Sequence, residues 1–82
     1  MHLSGLVKRS FSLAGHRTSV ALEDEFWTAL VRVAQARGQS LSAVVAAVDA
    51  TRDPDRPLAS ALRVMALLAN EAGSPSADAV PR

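Results

Sequence analysis

The residues with catalytic potential in this 82-residue sequence are few and scattered. They are two histidines, His2 and His16, a run of acids at Glu23–Glu25, and serines that have no neighbouring base. Acids at the beginning of a helix interact favourably with the helix dipole, and a histidine after a glycine is typical of a turn. Because no serine has the base and orienting group of a nucleophilic site, we expect no catalytic residue, no cofactor and no enzymatic activity.

The length allows one small domain whose core needs an additional stabiliser. A chain of this size buries only about 60% of its unfolded surface. The sequence contains no cysteine and two histidines, so disulfides and thiolate zinc sites are excluded and no metal site is expected. Oligomerisation remains, and the sequence therefore predicts a homodimer.

The positive charge is concentrated at the N-terminus. Residues 1–22 contain Lys8, Arg9 and Arg17 and no acid, whereas residues 23–82 contain six arginines and eight acids. This asymmetry is compatible with an anionic partner and equally with an ordinary solvated arm. No apolar stretch reaches the roughly 18 residues of a membrane span, and residues 1–10 lack the apolar core of a secretory signal. We expect a cytoplasmic protein, and the arginine- and alanine-rich composition is typical of a bacterial one.

Two short segments alternate as strands do. Arg9 to Leu13 is the first, and in the second, from Arg17 to Leu22, one face carries Thr18, Val20 and Leu22 and the other carries Arg17, Ser19 and Ala21. Gly15-His16 between them is cramped for a hairpin, and a hairpin also leaves an edge exposed. We therefore expect strand 17–22 to pair antiparallel with its own copy in a second chain.

Three helices are predicted after this strand. The first spans about 23–37 and ends at Gly38, the second follows Ser40 as N-cap, and the third spans about 58–72 after Pro57. The domain layout is a basic arm at 1–15 that includes the short first strand, a folded region at 16–72, and a disordered tail at 73–82. Trp27 is expected to pack on the neighbouring subunit or the third helix. The predicted dimer core consists of Thr18, Val20, Leu22, Phe26, Leu30, Val33, Leu41, Val44, Val45 and Val48.

Several strings in this order resemble a known family. They are Lys8-Arg9-Ser10, Gly15-His16-Arg17-Thr18-Ser19-Val20, Glu23 with Phe26-Trp27, and Leu58-Ala59-Ser60-Ala61-Leu62-Arg63. Over roughly residues 8–70 the chain resembles the ribbon-helix-helix superfamily of the Arc and MetJ type, in its short bacterial branch. The resemblance implies a mainly α homodimer with an intermolecular antiparallel β-ribbon, two core helices and an extra C-terminal helix.

The resemblance also implies a function, which is binding of double-stranded DNA by a transcriptional regulator. The outward ribbon residues Arg17, Ser19 and Ala21 would contact bases in the major groove. Phosphates would be held by Lys8 and Arg9 and by the beginning of the second helix at Ser40, Leu41 and Ser42. The alternative is a protein-interaction module, an antitoxin-like or adaptor dimer, in which helix 58–72 engages a protein partner and DNA binding is weak or lost.

Overall fold

The computed structural model describes residues 5–73 and the side chains of residues 5–70. Two strands, β1 (Val7–Leu13) and β2 (His16–Leu22), precede three helices, α1 (Asp24–Arg37), α2 (Leu41–Thr51) and α3 (Leu58–Gly73). The predicted fold class, a mainly helical domain with a two-stranded antiparallel sheet, is confirmed. The disordered tail was expected at 73–82, and its residues after Gly73 lie outside the described part of the chain. Within residues 5–73 no helix is both long and apolar enough to cross a bilayer.

The two strands form a hairpin within one chain. Val7 lies opposite Leu22 and Leu13 opposite His16. Ala14 and Gly15 connect them with φ angles of 51° and 82°. Two consecutive residues with positive φ are typical of the type I′ turn, whose twist matches that of the strands it joins. The connection is therefore Ala14-Gly15, and it closes without crowding.

This pairing differs from the one expected, in which strand 17–22 pairs with a second chain. The hydrogen-bonding partner of β2 is β1, seven residues long like β2 itself. A two-residue turn brings the two alternating segments together at a small cost in loop entropy. The boundary expected between residues 15 and 16 thus falls inside the hairpin, at the end of its turn.

The inner face of the hairpin covers the helices. Phe11, Leu13, Val20 and Leu22 are all buried. They belong to one cluster with the buried helical residues Trp27, Leu30, Val45, Leu62 and Ala66. Of the residues predicted for the core, Val20, Leu22, Leu30, Val44 and Val45 are buried, while Thr18, Phe26, Val33, Leu41 and Val48 are partly buried. One chain accordingly assembles most of this core by itself.

Trp27 lies beneath the hairpin and is only 1% exposed. Its indole N–H donates a 2.8 Å hydrogen bond to the Val7 carbonyl oxygen, and its ring lies 5.9 Å from that of Phe11. The expectation that Trp27 packs on a neighbouring subunit or on the third helix did not anticipate this contact with β1. The buried residues of α1 are Trp27, Leu30 and Ala34, so Leu30 agrees with the predicted core, whereas Phe26 and Val33 are only partly buried.

The helix ends follow local sequence signals. Gly38 has a left-handed φ of 65°, and the N–H of Gln39 returns to the Ala34 carbonyl over 2.9 Å, which closes α1. The Ser40 hydroxyl accepts a 3.0 Å hydrogen bond from the N–H of Ala43 and begins α2. Both caps agree with the sequence prediction. Only Gln39 lies between them, so α2 begins immediately after α1 ends.

Helix α3 is tied to α1 by a charged contact as well as by apolar packing. The Arg63 guanidinium lies 3.0 Å from the Glu23 carboxylate and 5.7 Å from the centre of the Phe26 ring. The backbone N–H of Glu23 and the Arg63 guanidinium hold the pKa of the Glu23 carboxyl below its ordinary value of 4.5. The ionised carboxylate therefore favours the folded chain.

The Trp27 hydrogen bond predicts a measurable loss of stability in Trp27→Phe. Phenylalanine keeps an aromatic ring at this site but leaves the Val7 carbonyl without its donor. We expect the free energy of unfolding, from urea denaturation, to fall by about 1–2 kcal/mol. Thr28→Ala, at the exposed next position of α1, serves as control and should change it by less than about 0.5 kcal/mol. Equal stability of Trp27→Phe and the wild type would contradict the role assigned to the indole N–H.

The turn geometry predicts opposite effects at its two positions. Ala14 adopts a left-handed conformation that asparagine tolerates better, so Ala14→Asn should stabilise the chain by about 0.5 kcal/mol. Gly15→Ala introduces a Cβ at positive φ and should destabilise it by about 1 kcal/mol. The same urea titration measures both variants, and a stabilising Gly15→Ala would be incompatible with this hairpin.

The lowered pKa of Glu23 predicts a pH-dependent contribution to stability. Because the folded-state pKa lies below the unfolded value, the stabilisation is present above pH 4.5 and is lost as the pH falls through the folded-state pKa. Wild type should therefore be more stable than Glu23→Gln at pH 7, and the difference should shrink as the pH is lowered below 4.5. Thermal unfolding of both proteins across this range measures it. A difference that stays constant down to pH 2 would exclude the carboxylate as its source.

Candidate nucleic-acid interface

The outward face of the hairpin is polar and cationic. The alternation that buries Phe11 and Val20 turns every other residue of both strands away from the helices. All but Ala21 are exposed, Ala21 is half-buried, and none is acidic. These outward residues, which we call the ribbon face, are Lys8, Ser10 and Ser12 on β1 and Arg17, Ser19 and Ala21 on β2.

The ribbon face has hydroxyls at its centre and a cation towards each end. Ser10 and Ser19 lie opposite each other, and their hydroxyl oxygens are 3.1 Å apart. Arg17 donates from Nη1 to the Ser12 hydroxyl over 3.3 Å near the turn. Lys8 lies opposite Ala21 near the other end. From Lys8 to Ser12 the row spans about 13 Å at the usual rise of a strand.

Each of these groups has a defined binding chemistry. A two-stranded ribbon fits the major groove of B-DNA, where a guanidinium binds guanine O6 and N7 in a bidentate manner. Arg17 has five N–H donors, so the bond to Ser12 leaves several for a ligand. The serine hydroxyls both donate and accept, and Ala21 offers only a methyl group. The face combines groups that read base edges with cations that neutralise phosphates.

Lys8 and Arg9, both predicted to contact phosphate, lie on different faces of the hairpin. Lys8 belongs to the ribbon face. Arg9 is exposed on the opposite face, with its guanidinium carbon 5.3 Å from the centre of the Trp27 ring, in a cation–π arrangement. Only Lys8 therefore extends in the same direction as Arg17 and Ser19.

The beginning of α2 is a separate polar feature. Ser40 is exposed and uses its hydroxyl as the N-cap, Leu41 is half-buried against the core, and Ser42 is exposed. The first N–H groups of a helix have no partner within the helix. Since the cap occupies the N–H of Ala43, those of Leu41 and Ser42, with the Ser42 hydroxyl, remain to meet an anion here.

His2 lies outside the described residues, and the acids and His16 form no catalytic group within them. Glu23 is paired with Arg63, while Asp24 and Glu25 are exposed in the first turn of α1. His16 is exposed at the first position of β2. Within residues 5–73 there is no cluster of His, Cys, Asp or Glu that could hold a metal ion.

Sequence reasoning missed Ser10 and Ser12 as members of this face. Their alternation with Phe11 and Leu13 was visible, but without a hairpin they had no partner strand. The available signal was Ala14-Gly15, a two-residue connection ending in glycine between two alternating segments. With the pairing in place, both serines lie on the same face as Arg17 and Ser19.

Comparison with known proteins agrees with this architecture. A sequence model of the ribbon-helix-helix domain matches residues 6–69, which include the hairpin, α1, α2 and most of α3. No individual curated protein and no solved structure shows significant similarity to the chain.

Proposed function

Because the chain belongs to the ribbon-helix-helix family, whose domains generally bind DNA in transcription regulators, we propose that it is a DNA-binding transcriptional regulator that acts as a homodimer. In this proposal the hairpin β1–β2 enters the major groove with its ribbon face towards the bases. We further propose that it acts in the bacterial cytoplasm.

The observation that carries the proposal is the composition of the ribbon face. It places two cations and three hydroxyls on one side of a two-stranded ribbon, with no acid among them. An acid there would repel phosphates and meet the acceptor-rich edge of guanine. On the opposite face, four apolar side chains are buried against the helices. The hairpin therefore packs on the core with its apolar face, and in this proposal it binds a polyanion with its cationic face.

The ribbon-face residues take different roles in this proposal. Arg17 reads guanine, Ser19 with Ser10 and Ser12 hydrogen-bonds to base edges or phosphates, and Ala21 makes apolar contact. A good bidentate pair discriminates by about 1–3 kcal/mol, so one hairpin with one arginine is a modest reader. Lys8 contributes mainly to affinity, since phosphate contacts carry no direct sequence information. Two hairpins on one DNA molecule would double the number of contacts.

Further phosphate contacts are proposed at Arg9 and at the beginning of α2. Arg9 lies over the Trp27 ring on the face opposite the ribbon face, where it is exposed, and in this proposal it contacts a phosphate that flanks the groove. Ser40, Leu41 and Ser42 would hold a second phosphate through two backbone N–H groups and the Ser42 hydroxyl. These contacts would position the hairpin without specifying bases.

The alternative function is a protein-interaction module that uses α3. Leu62 is buried in the core of its own chain, and Leu58 and Met65 pack against that core while remaining partly buried. Leu68 remains 57% exposed. The exposure of Leu68 favours an interaction role for α3, alone or beside DNA binding.

The DNA proposal predicts that Arg17→Ala and Lys8→Ala weaken binding in different ways. Arg17→Ala should weaken binding to the preferred genomic fragment by about 10–100-fold and relax base preference. Lys8→Ala should weaken binding to all duplexes by a similar factor and lower the slope of log affinity against log salt concentration by about 1. Fluorescence anisotropy with labelled genomic fragments at several salt concentrations measures both.

Arg32→Ala is the matched control for this titration. It removes the same charge from an exposed position on α1, outside the ribbon face, and should leave the affinity within about twofold, since only contacting cations release counterions. A wild-type protein without salt-sensitive binding at micromolar concentration would refute the proposal. Equal losses in Arg32→Ala and Arg17→Ala would show that net charge, rather than the ribbon face, governs binding.

A further inference from the structure

Helix α3 exposes an apolar row in addition to the one that packs on the core. Val64 is 40% exposed and Leu68 is 57% exposed. They are four residues apart, so their side chains are neighbours along the helix and form a ridge. The solvent side of a surface helix is ordinarily polar. The ridge is therefore apolar surface that the described part of the chain leaves uncovered.

An open groove lies beside this ridge, between α2 and α3. Its volume is about 700 Å³, and Val64 and Leu68 both line it. Its other apolar lining residues include Val48 of α2 and Ala61, Met65 and Ala69 of α3. A pocket for a small molecule encloses most of its ligand, whereas an open groove covers one side of a longer one. Rows of side chains at i,i+4 spacing beside a groove are the surface into which another helix packs.

The charge at the groove is predominantly positive. In the described part of the chain, three arginines line it, Arg37, Arg52 and Arg56, against a single acid, Asp53. The Asp53 carboxylate accepts a 2.9 Å hydrogen bond from the N–H of Asp55, within its own loop. The groove therefore combines an apolar lining with an excess of cations.

Two of these arginines have no acidic partner within residues 5–70. Arg52 lies 3.0 Å from Asp49 and donates from Nη1 to the Arg56 carbonyl over 2.7 Å, so its charge is compensated. Arg37 and Arg56 take part in no ion pair there, and both are exposed. Arg56 donates to the Ser60 hydroxyl over 3.3 Å, and this neutral acceptor leaves its charge uncompensated. Arg37 and Arg56 are therefore the cations available to a ligand of this groove.

The apolar lining and the uncompensated cations together define the complementary ligand. A nucleic-acid backbone would supply anions but no apolar cover for Val64 and Leu68. A second copy of this face would add its own excess of arginines to the contact, which repulsion between like charges opposes. An amphipathic helix with an apolar stripe and carboxylates at the margins of that stripe supplies both the cover and the anions.

We propose that the α2/α3 groove binds an acidic amphipathic helix of another protein, with its apolar stripe on Val64 and Leu68 and its carboxylates on Arg37 and Arg56. The proposal rests on the interaction role given to α3 above, and it adds the site and the chemical class of the partner. It does not depend on DNA binding, because the groove shares no residue with the ribbon face.

A cross-linked helical peptide is a defined probe for the groove. It has about 14 residues, or about four turns, with leucines at i, i+4 and i+7 and glutamates on both margins of the leucine stripe. The cross-link on its opposite face holds a length that is only marginally helical in water. The control peptide has lysine in place of every glutamate. In fluorescence anisotropy, the glutamate peptide should bind the wild-type chain at least about tenfold more tightly than the lysine peptide.

Substitutions in the chain test whether this binding occurs at the groove. Leu68→Glu should weaken binding of the glutamate peptide by more than about tenfold. Leu67→Glu is the matched control and should stay within about twofold, because Leu67 is 53% exposed on the same helix but lines a separate cleft beside α1. Arg37→Glu and Arg56→Glu should each weaken binding by about fivefold, whereas Arg32→Glu, an exposed charge outside the groove, should change it by less than about twofold. Circular dichroism melting checks that each variant is folded.

The other possible occupants give different results. Equal losses in Leu68→Glu and Leu67→Glu would overturn the proposal. Displacement of the peptide by duplex DNA would assign the groove to nucleic acid, and displacement of a second copy of the chain by the peptide would assign it to self-association, so either result would overturn it too. Preference for the lysine peptide would keep an interaction role for α3 and overturn its acidic partner. A chain that binds the glutamate peptide but no DNA would overturn the DNA proposal alone.

Discussion

The contact between Trp27 and the first strand holds the hairpin on the helices. The indole donates to the Val7 carbonyl over 2.8 Å, and its ring packs against Phe11 inside the core. The hydrogen bond anchors the beginning of β1, while the Ala14-Gly15 turn fixes its end relative to β2. A shift of one residue in this register would exchange the two faces, exposing Phe11 and burying Ser10. The position of the ribbon face thus depends on a buried aromatic residue that does not belong to it.

The two faces of the hairpin differ sharply in composition. One side of the hairpin contributes four buried apolar residues to the core, and the other presents two cations and three hydroxyls. Since the strands pair within one chain, each copy has a complete ribbon face. A homodimer, as proposed, would bring two such faces together. Arg63, through its bond to Glu23, ties α3 to the beginning of α1.

Much of this architecture could be predicted from short-range sequence signals. Gly38 and Ser40 mark the helix ends because each acts on backbone groups within a few residues. The alternation in β2 identified Arg17, Ser19 and Ala21 as one face. The sequence analysis paired β2 with its own copy instead of with β1, because alternation defines faces without specifying which strand pairs with which. The role of Trp27 was missed for a related reason. The predicted stripe and the buried one share Leu30, and only the packed hairpin shows that Trp27, rather than Phe26, is the buried aromatic residue.

In the proposed complex, the hairpin of one chain presents Lys8, Ser10, Ser12, Arg17 and Ser19 together to DNA. The most direct measurement is a titration of the ¹⁵N-labelled protein with a DNA duplex, followed by amide chemical shifts. We expect the largest changes at these five residues and at Leu41 and Ser42, with small changes at Val64 and Leu68. Changes confined to α3, or a hairpin that does not respond at saturating DNA, would show that the ribbon face is not the DNA-binding surface.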